Sequence, residues 1–234
     1  KNISIKCVFC CNTDTKSNLM LVHDLCKAHS IKMITLVKGD KLSNNAIIPE
    51  INQIDCLLLL WWPHILKNDS INLFDFIINI HPSMLPFGRG KYGYFWSIVN
   101  NEPFGASLHL VDEGIDTGKV LVQKEVHVDP TDTGEDLYKK GVDACISLFD
   151  DNIYSLLKNL EQKVKFSQGY SLLEGSSNTK ADFLQYCNEC ENNTFSIKDA
   201  IKYLLARTFQ NGTSYQFEIK GKMYECRLTV KDIS

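Results

Sequence analysis

A carboxamide, an imidazole and a carboxylate (Asn79, His81 and Asp116) are the side chains of this 234-residue sequence whose types and spacing point to chemistry. Asn79 and His81 lie two positions apart where the apolar run Phe74 to Ile80 passes into Asn79-Ile80-His81-Pro82-Ser83-Met84-Leu85-Pro86. If the strand persists to His81, both side chains project to one face and aim an amide donor and an imidazole at one volume. Pro82 and Pro86 then hold the exit loop stiff. Asp116 belongs to Val111-Asp112-Glu113-Gly114-Ile115-Asp116-Thr117-Gly118, a loop rich in acid and glycine. A buried carboxylate brought against His81 raises the imidazole's basicity and orders its tautomer, and the two glycines let backbone groups face a ligand. Taken singly, a histidine after a strand also has a structural reading, and an Asp-Gly loop also serves as a plain turn. The combination points to a proton-transfer site.

The elements that must position these groups follow from periodicity. Ile3 to Cys10 alternates, Leu19 to Ala28 has helical apolar spacing, and Lys32 to Val37 is strand-like again, a β-α-β opening. Asp55 to Trp62 and Phe74 to Ile80 are near-continuous apolar runs of the kind buried on both faces of a parallel sheet, with a short helical or looped segment, Pro63 to Asn72, between them. Tyr92 to Asn100 reads as a helix, and Gly105 to Val111 and Val120 to Val128 as strands. A long helix follows, capped by Thr133 with Asp136 and running to about Leu160, with Leu137, Val142, Ile146, Phe149, Ile153, Leu156 and Leu157 as its buried stripe. Residues 161 to 180 read as a linker. The tail holds a helix, Ser196 to Ala206 with Ser196 as N-cap, and a hairpin of Tyr215 to Ile219 and Met223 to Val230 joined at Lys220, Gly221 and Lys222. The expected architecture is α/β: a Rossmann-like, doubly wound, mostly parallel sheet over residues 1–160, the linker 161–180, and a small C-terminal helix and hairpin annex over 181–234.

Composition narrows the classes. A chain 44% hydrophobic and 23% charged is that of a globular protein, and a net charge of -3 gives no global attraction to nucleic acid or to an anionic membrane. An anionic substrate must therefore be met by local cations. The longest apolar run, Cys56 to Trp62, is far short of the roughly 20 residues of a membrane span, and no signal pattern opens the chain, so a cytoplasmic protein is expected. Nine scattered cysteines read as reduced thiols. Of the two CxxC pairs, Cys7/Cys10 lies on an expected strand, where residues three apart face opposite ways. Cys187/Cys190 can share a helix face but has no second ligand pair at zinc spacing, so no metal is expected. Cys10 to Thr15 contains no glycine, which argues against a dinucleotide cradled after the first strand.

The stretch Asn79-Ile80-His81-Pro82-Ser83, followed thirty-odd residues later by Asp116-Thr117-Gly118, resembles the folate-dependent formyltransferases over roughly residues 1 to 160. His109-Leu110-Val111-Asp112 also follows the family's pattern. The resemblance implies that Asn79, His81 and Asp116 are catalytic, that 10-formyltetrahydrofolate is the cosubstrate, and that no metal is needed. A neutral amine attacks the formyl carbon; Asn79 donates to the oxyanion, His81 hydrogen-bonds the oxyanion or accepts the amine's proton, and Asp116 orients His81 and relays protons through water. It further implies that the pterin lies against His64, Ile65 and Leu66 and against Glu113, Gly114 and Ile115, beside Trp62.

The acceptor is narrowed by the tail. From Ala181 it holds seven acidic and seven basic residues, without the positive charge a tRNA-binding domain needs. Leu205-Ala206-Arg207-Thr208-Phe209 and the hairpin look like the C-terminal element of sugar N-formyltransferases. That likeness implies a nucleotide-linked amino sugar as acceptor, dTDP-4-amino-4,6-dideoxyglucose first, with surface polysaccharide synthesis as its use, and a homodimer held through this element. Phe87-Gly88-Arg89-Gly90-Lys91-Tyr92 offers two cations and two glycines for a diphosphate, through Arg89 and Lys91, and Phe209 or Tyr215 would stack on the base. Lys91-Tyr92-Gly93 departs from the Asn or Pro usual after the family's Arg-Gly and leaves the sugar open. Glycinamide ribonucleotide is the alternative acceptor, although the glycine loop of such relatives is missing. A folate hydrolase, whose relatives carry a regulatory domain before the catalytic one, is the less expected reading for a sequence in which strand one starts at once. A non-enzymatic α/β binding or thiol-sensing module would rest on the cysteines alone.

Overall fold

In the computed structural model of the chain, residues 3–11, 16–36, 42, 51, 54–161, 174–210 and 214–233 are described. They divide into two compact units: residues 1–79 with 154–165, and residues 80–153 with 166–234. The strand and helix composition is α/β, as the periodicity requires. Among the described residues no helix is long and apolar enough to cross a membrane.

In the first unit, β1 (Cys7–Cys11) and β2 (Lys32–Leu36) pair in parallel across α1 (Lys16–Ala28), with Cys7 opposite Lys32 and Cys11 opposite Leu36. Ile3 and Ile5 lie outside the strand and are exposed, because a ladder ends where its partner ends. The glycine-free loop at residues 12–15, and Val37, fall outside the described residues. β3 (Cys56–Leu60) lies next to β4 (Phe76–His81), with α2 (Asn68–Ile71) between them in sequence. β3 stops short of Trp62 because Trp61 turns to φ 53°, a left-handed conformation that breaks the extended run.

The second unit begins inside β4. It continues through β5 (Arg89–Gly90), α3 (Gly93–Asn100), β6 (Phe104–Leu110), β7 (Val120–Val126) and α4 (Gly134–Glu161) as far as Ile153, the rest of that helix being counted with the first unit. The end of β4, β6 and β7 follow one another in the sheet, and β6 and β7 are antiparallel with a register irregularity between Leu108 and His109. The Thr133/Asp136 box caps α4, with the Asp136 amide donating to Thr133 Oγ1 at 3.2 Å and the Thr133 amide to Asp136 Oδ2 at 2.9 Å. The buried stripe of α4 is the expected one only in part. Leu137 and Leu156 are buried as expected and Val142, Phe149, Ile153 and Leu157 are half-buried, but Gly141, Ala144, Cys145 and Leu148 are buried as well and Ile146 is 52% exposed. Small residues carry the contact because the Phe104 ring lies against Gly141, leaving no room for a larger side chain.

Residues 177–178, expected within a linker, form β8 (Ser177–Asn178), parallel to β5, and Thr179 caps α5 (Lys180–Asn192) in a full box with Asp182. α6 (Ile197–Ala206) is capped by Ser196 as expected. The hairpin of β9 (Tyr215–Ile219) and β10 (Lys222–Cys226) turns on two residues, Lys220 at φ 51° and Gly221 at φ 77°, a conformation glycine accepts without penalty. β10 ends at Cys226 rather than Val230, where its register partner Tyr215 begins β9.

This unit's core is aromatic, built from Phe95, Trp96, Phe104, Leu137, Tyr203 and Leu205 with their neighbours. Phe104 is 2% exposed and packs against Gly141 of α4. Phe104→Ala is expected to lower stability by about 3–5 kcal/mol, read as a shift of the urea midpoint at constant slope.

Candidate active site

Strand β4 persists to His81, so the two-residue period puts Asn79, which is half-buried, and His81 on the same face of the strand. Beyond His81 the chain is pinned. Ser107 on β6 donates its hydroxyl to the Ser83 carbonyl at 2.8 Å and accepts the Leu85 amide at 3.2 Å, while Gln123 on β7 donates to the Leu85 carbonyl at 2.7 Å. The turn brings the Gly88 carbonyl to 3.0 Å from His81 Nε2. A carbonyl only accepts, so Nε2 bears the proton and Nδ1 is the nitrogen left for exchange.

His81 Nδ1 faces Asp116 Oδ2 at 3.6 Å, longer than a hydrogen bond. Asp116 is held by three groups: His81, the Gly90 amide, which donates to Oδ2 at 2.8 Å, and His109, whose Nε2 lies 3.5 Å from Oδ1. Its own backbone is left-handed, φ 50°, a conformation Asp tolerates better than most residues. The loop around it is shaped by Asp112, whose Oδ1 accepts from the Gly114 amide at 3.0 Å and from the Thr117 hydroxyl at 2.6 Å. That Asx-type turn swings Asp116 back toward β4 and β6.

Burial raises the Asp116 carboxyl pKa. The hydrogen bond from His109, the attraction of His81 and the Gly90 amide together outweigh it and hold the group down at about 2. For His81, burial wins and lowers the pKa below its ordinary 6.5, against the opposing pull of Asp116 and the Gly88 carbonyl, while His109 adds to the depression. At neutral pH the pair is thus an unprotonated imidazole beside a charged carboxylate, arranged to accept a proton at Nδ1 and stabilise the cation formed there.

His109 was not among the catalytic residues expected from the sequence. Its side chain is 2% exposed, and Nδ1 donates to the Leu110 carbonyl at 2.8 Å. The irregularity between Leu108 and His109 breaks the β6–β7 register just where the ring turns to Asp116, as bulges beside active sites do. The available signal was an imidazole in an otherwise apolar strand entering the acidic loop.

The remaining expected residues are placed as follows. Trp62, His64, Ile65 and Leu66 lie in the first unit, in the turn after β3. The Trp62 and His64 rings meet edge-on at 5.9 Å, Ile65 is 70% exposed, and the buried Trp62 Nε1 has no hydrogen-bond partner among the described residues. Glu113, Gly114 and Ile115 form the exposed tip of the β6–β7 loop in the second unit. Arg89 is half-buried and its Nε reaches the Ser176 carbonyl at 3.4 Å, whereas the Lys91 side chain is exposed. Phe209 lines a cleft of about 270 Å³ with Tyr92, Tyr94, Phe183 and Arg207. Tyr215 does not line it; its ring packs on Tyr203 and Phe217, both at 5.8 Å. Arg207, which the sequence reading left without a role, reaches Cys187 Sγ at 3.0 Å and Tyr203 Oη at 3.1 Å, has no carboxylate partner among the described residues, and sits 5.6 Å from the Phe183 ring centre. Cys187 and Cys190 both lie on α5, and all nine cysteines are free thiols.

The formyl transferase family model matches residues 10–151. GDP-perosamine N-formyltransferase of Brucella melitensis biotype 1 is 36% identical over 80 residues, covering 34% of this chain and 31% of that protein. The chain spans about a third of the length of the first curated relatives it matches. A sugar N-formyltransferase from Shewanella sp FDAARGOS_354 superposes with TM-score 0.74 at 21% identity, over 99% of this chain and 100% of the other. An N-formyltransferase from Helicobacter canadensis, solved with folinic acid and dTDP-3-aminofucose, superposes with TM-score 0.63 at 20% identity, over 93% and 85%. At these identities the two structures show a shared fold.

His81 is expected to titrate below 6.5 when its ring nitrogens are followed by NMR. Asp116→Asn removes the contribution that favours the imidazolium and should lower the midpoint further. A wild-type midpoint above 6.5 would mean that the carboxylate outweighs burial.

Proposed function

The chain belongs to the formyl transferase family, and we propose on that premise that it transfers a formyl group from 10-formyltetrahydrofolate to the amine of a nucleotide-linked amino sugar. The observation that carries this reading is His81, with Nε2 fixed by the Gly88 carbonyl and Nδ1 facing a carboxylate held charged by two imidazoles and the Gly90 amide. The similarity in fold to sugar N-formyltransferases and the sequence similarity to a GDP-perosamine N-formyltransferase support the acceptor class.

The folate supplies an activated formyl carbon to the amine. Asn79 donates its carboxamide N–H groups to the oxygen on which negative charge develops. His81 takes the amine's proton at Nδ1, directly or through a water, and Asp116 stabilises the imidazolium so formed. Each unit by itself offers groups of the kind a polar heterocycle takes. Trp62 offers a buried indole N–H without a partner among the described residues, with His64, Ile65 and Leu66 beside it in sequence, and Glu113, Gly114 and Ile115 offer main chain at an exposed loop tip.

For the acceptor we assign the cleft of Tyr92, Tyr94, Phe183, Arg207 and Phe209 to the nucleotide, with Arg89 and Lys91 nearer the diphosphate. A planar base finds aromatic walls there, and an anion finds a cation with no carboxylate partner among the described residues. Tyr215 is assigned to the ring stack behind Arg207 instead. We take dTDP-4-amino-4,6-dideoxyglucose as the first acceptor to test. The Brucella relative makes a GDP-linked sugar the second.

The hairpin's exposed Ile219, Met223 and Tyr224 favour a homodimer through this element. Sedimentation should find a dimer that Met223→Glu converts to monomer, and a wild-type monomer would remove that assignment.

With 10-formyltetrahydrofolate and a panel of dTDP-4-amino-4,6-dideoxyglucose, GDP-perosamine and glycinamide ribonucleotide, an amino sugar should be formylated and His81→Ala should lose about a hundredfold or more of the rate. Asp116→Asn should lower kcat far more than it raises KM for the sugar nucleotide; equal changes would make Asp116 structural. Because His81 acts unprotonated and its pKa is depressed, the rate should hold at neutral pH and fall on acidification with a midpoint below 6.5. Silence across the panel would overturn the acceptor class.

A further inference from the structure

The turn Gly88–Gly90 has two sides. On one, the Gly88 carbonyl accepts from His81 Nε2 at 3.0 Å and the Gly90 amide donates to Asp116 Oδ2 at 2.8 Å. On the other, the turn is gripped by the segment that leads into α5. The Gly88 amide donates to Ser176 Oγ at 2.7 Å, the Arg89 amide to the Ser176 carbonyl at 3.1 Å, and the Lys91 amide to the Asn178 carbonyl at 2.9 Å. Ser176 in turn donates its hydroxyl to Glu102 Oε2 at 2.7 Å. Glu102 is fixed from α3, its carbonyl accepting from Ser97 Oγ at 2.7 Å and its Oε1 from Asn100 Nδ2 at 3.2 Å.

The grip is close-packed as well as hydrogen-bonded. A Cβ on Gly90, whose φ is +86°, would run into the Asn178 carbonyl, and a Cβ on Gly175 would run into the Pro86 carbonyl. Two chain segments about ninety residues apart thus approach backbone to backbone where the catalytic pair is anchored, and glycine is what allows it.

We propose that Ser176, oriented by Glu102, is a positioning residue: it sets the place of the Gly88 and Gly90 peptides and through them the separation and orientation of His81 and Asp116. The hydrogen bonds of the turn support this dependence. Gly88 has one N–H, taken by Ser176, and one carbonyl, shared by His81 Nε2 and the Ser83 hydroxyl at 3.2 Å, so a turn released on the Ser176 side can shift on the other. His81 and Asp116 stand 3.6 Å apart, and a displacement of an ångström decides whether they cooperate. Ser176 has no hydrogen bond to the His81 ring or the Asp116 carboxylate and acts through the turn.

The kinetic part of the test rests on the formyl-transfer reading; the spectroscopic part does not. In the full chain, Ser176→Ala should lower kcat about ten- to a hundredfold with KM for both substrates within about twofold, Glu102→Gln should do the same more weakly, and Ser176→Thr should keep most of the activity by keeping the hydroxyl. By NMR, the His81 Nε2–H should exchange faster in Ser176→Ala and its titration midpoint should move, with Asp116 and His109 as the titratable groups facing it; Ser176→Thr should return both toward wild type. An unchanged His81 spectrum in Ser176→Ala would overturn the proposal whatever happens to the rate, and so would equal losses in kcat and KM. A shifted spectrum in a protein that formylates nothing would uphold the positioning role and overturn the reading of function.

Discussion

Keeping one carboxylate charged inside the protein is the constraint around which the second unit is arranged. The Asp116 side chain is only 15% exposed, and burial alone would neutralise it. Charge is retained because His109 and the Gly90 amide meet its two oxygens, with His81 beside them ready to take a proton. Each of those partners comes from a different element, so β4, β6 and the turn at β5 must all be in register before the acid is stable where it is. The left-handed backbone at Asp116 and the Asp112 turn before it are the local conditions that let a short loop deliver the carboxylate to that point.

The opposite treatment of His81 follows from the same burial. A charged imidazole is costly there, and the neutral ring keeps one nitrogen on a carbonyl and the other open toward the acid. Neutral base and charged acid side by side are a state that gains from the arrival of a proton. Such a site is passive until a proton arrives, and it then gains a cation beside the carboxylate.

Much of this was legible in the sequence because it is local. The strand running into Asn79-Ile80-His81 shows in the two-residue period, and the Asp-Gly loop shows in composition. The caps of α4 and α6, at Thr133 and Ser196, stand in plain view, and the hairpin turn is marked by its glycine. What was missed depends on contacts between distant residues. His109 lies in a strand that reads as apolar, and only a register irregularity turns its ring to the acid. Ser176 sits in a stretch that reads as linker, and its function comes from bonds to Gly88 and Glu102, which no local pattern encodes. The buried stripe of α4 was right at Leu137 and Leu156 and wrong at Ile146, because close packing selects small side chains, Gly141 and Ala144, where counting large ones selects Ile146. Helix α5 was passed over although its Thr179/Asp182 box was readable.

A chain of net charge -3 must draw an anionic ligand by placement of single cations rather than by its overall field. Arg207 illustrates how one can suffice. Its guanidinium stands within 6 Å of the ring centres of Phe183, Tyr203 and Tyr215, which favour the cation through their faces without neutralising it. A carboxylate in their place would hold the arginine equally well and cancel it. The aromatic setting therefore fixes the side chain and leaves its charge for a ligand, in surroundings of low dielectric where that charge counts for more than it would in water. Tyr92, at the far end of the turn that carries Gly88 and Gly90, packs at a tilt on Phe183, ring centres 4.4 Å apart, in the wall of the same cleft. The cleft and the anchors of His81 and Asp116 thus share one short length of chain, so whatever the aromatic wall requires of residues 88 to 92 is also imposed on the peptides that hold those two side chains.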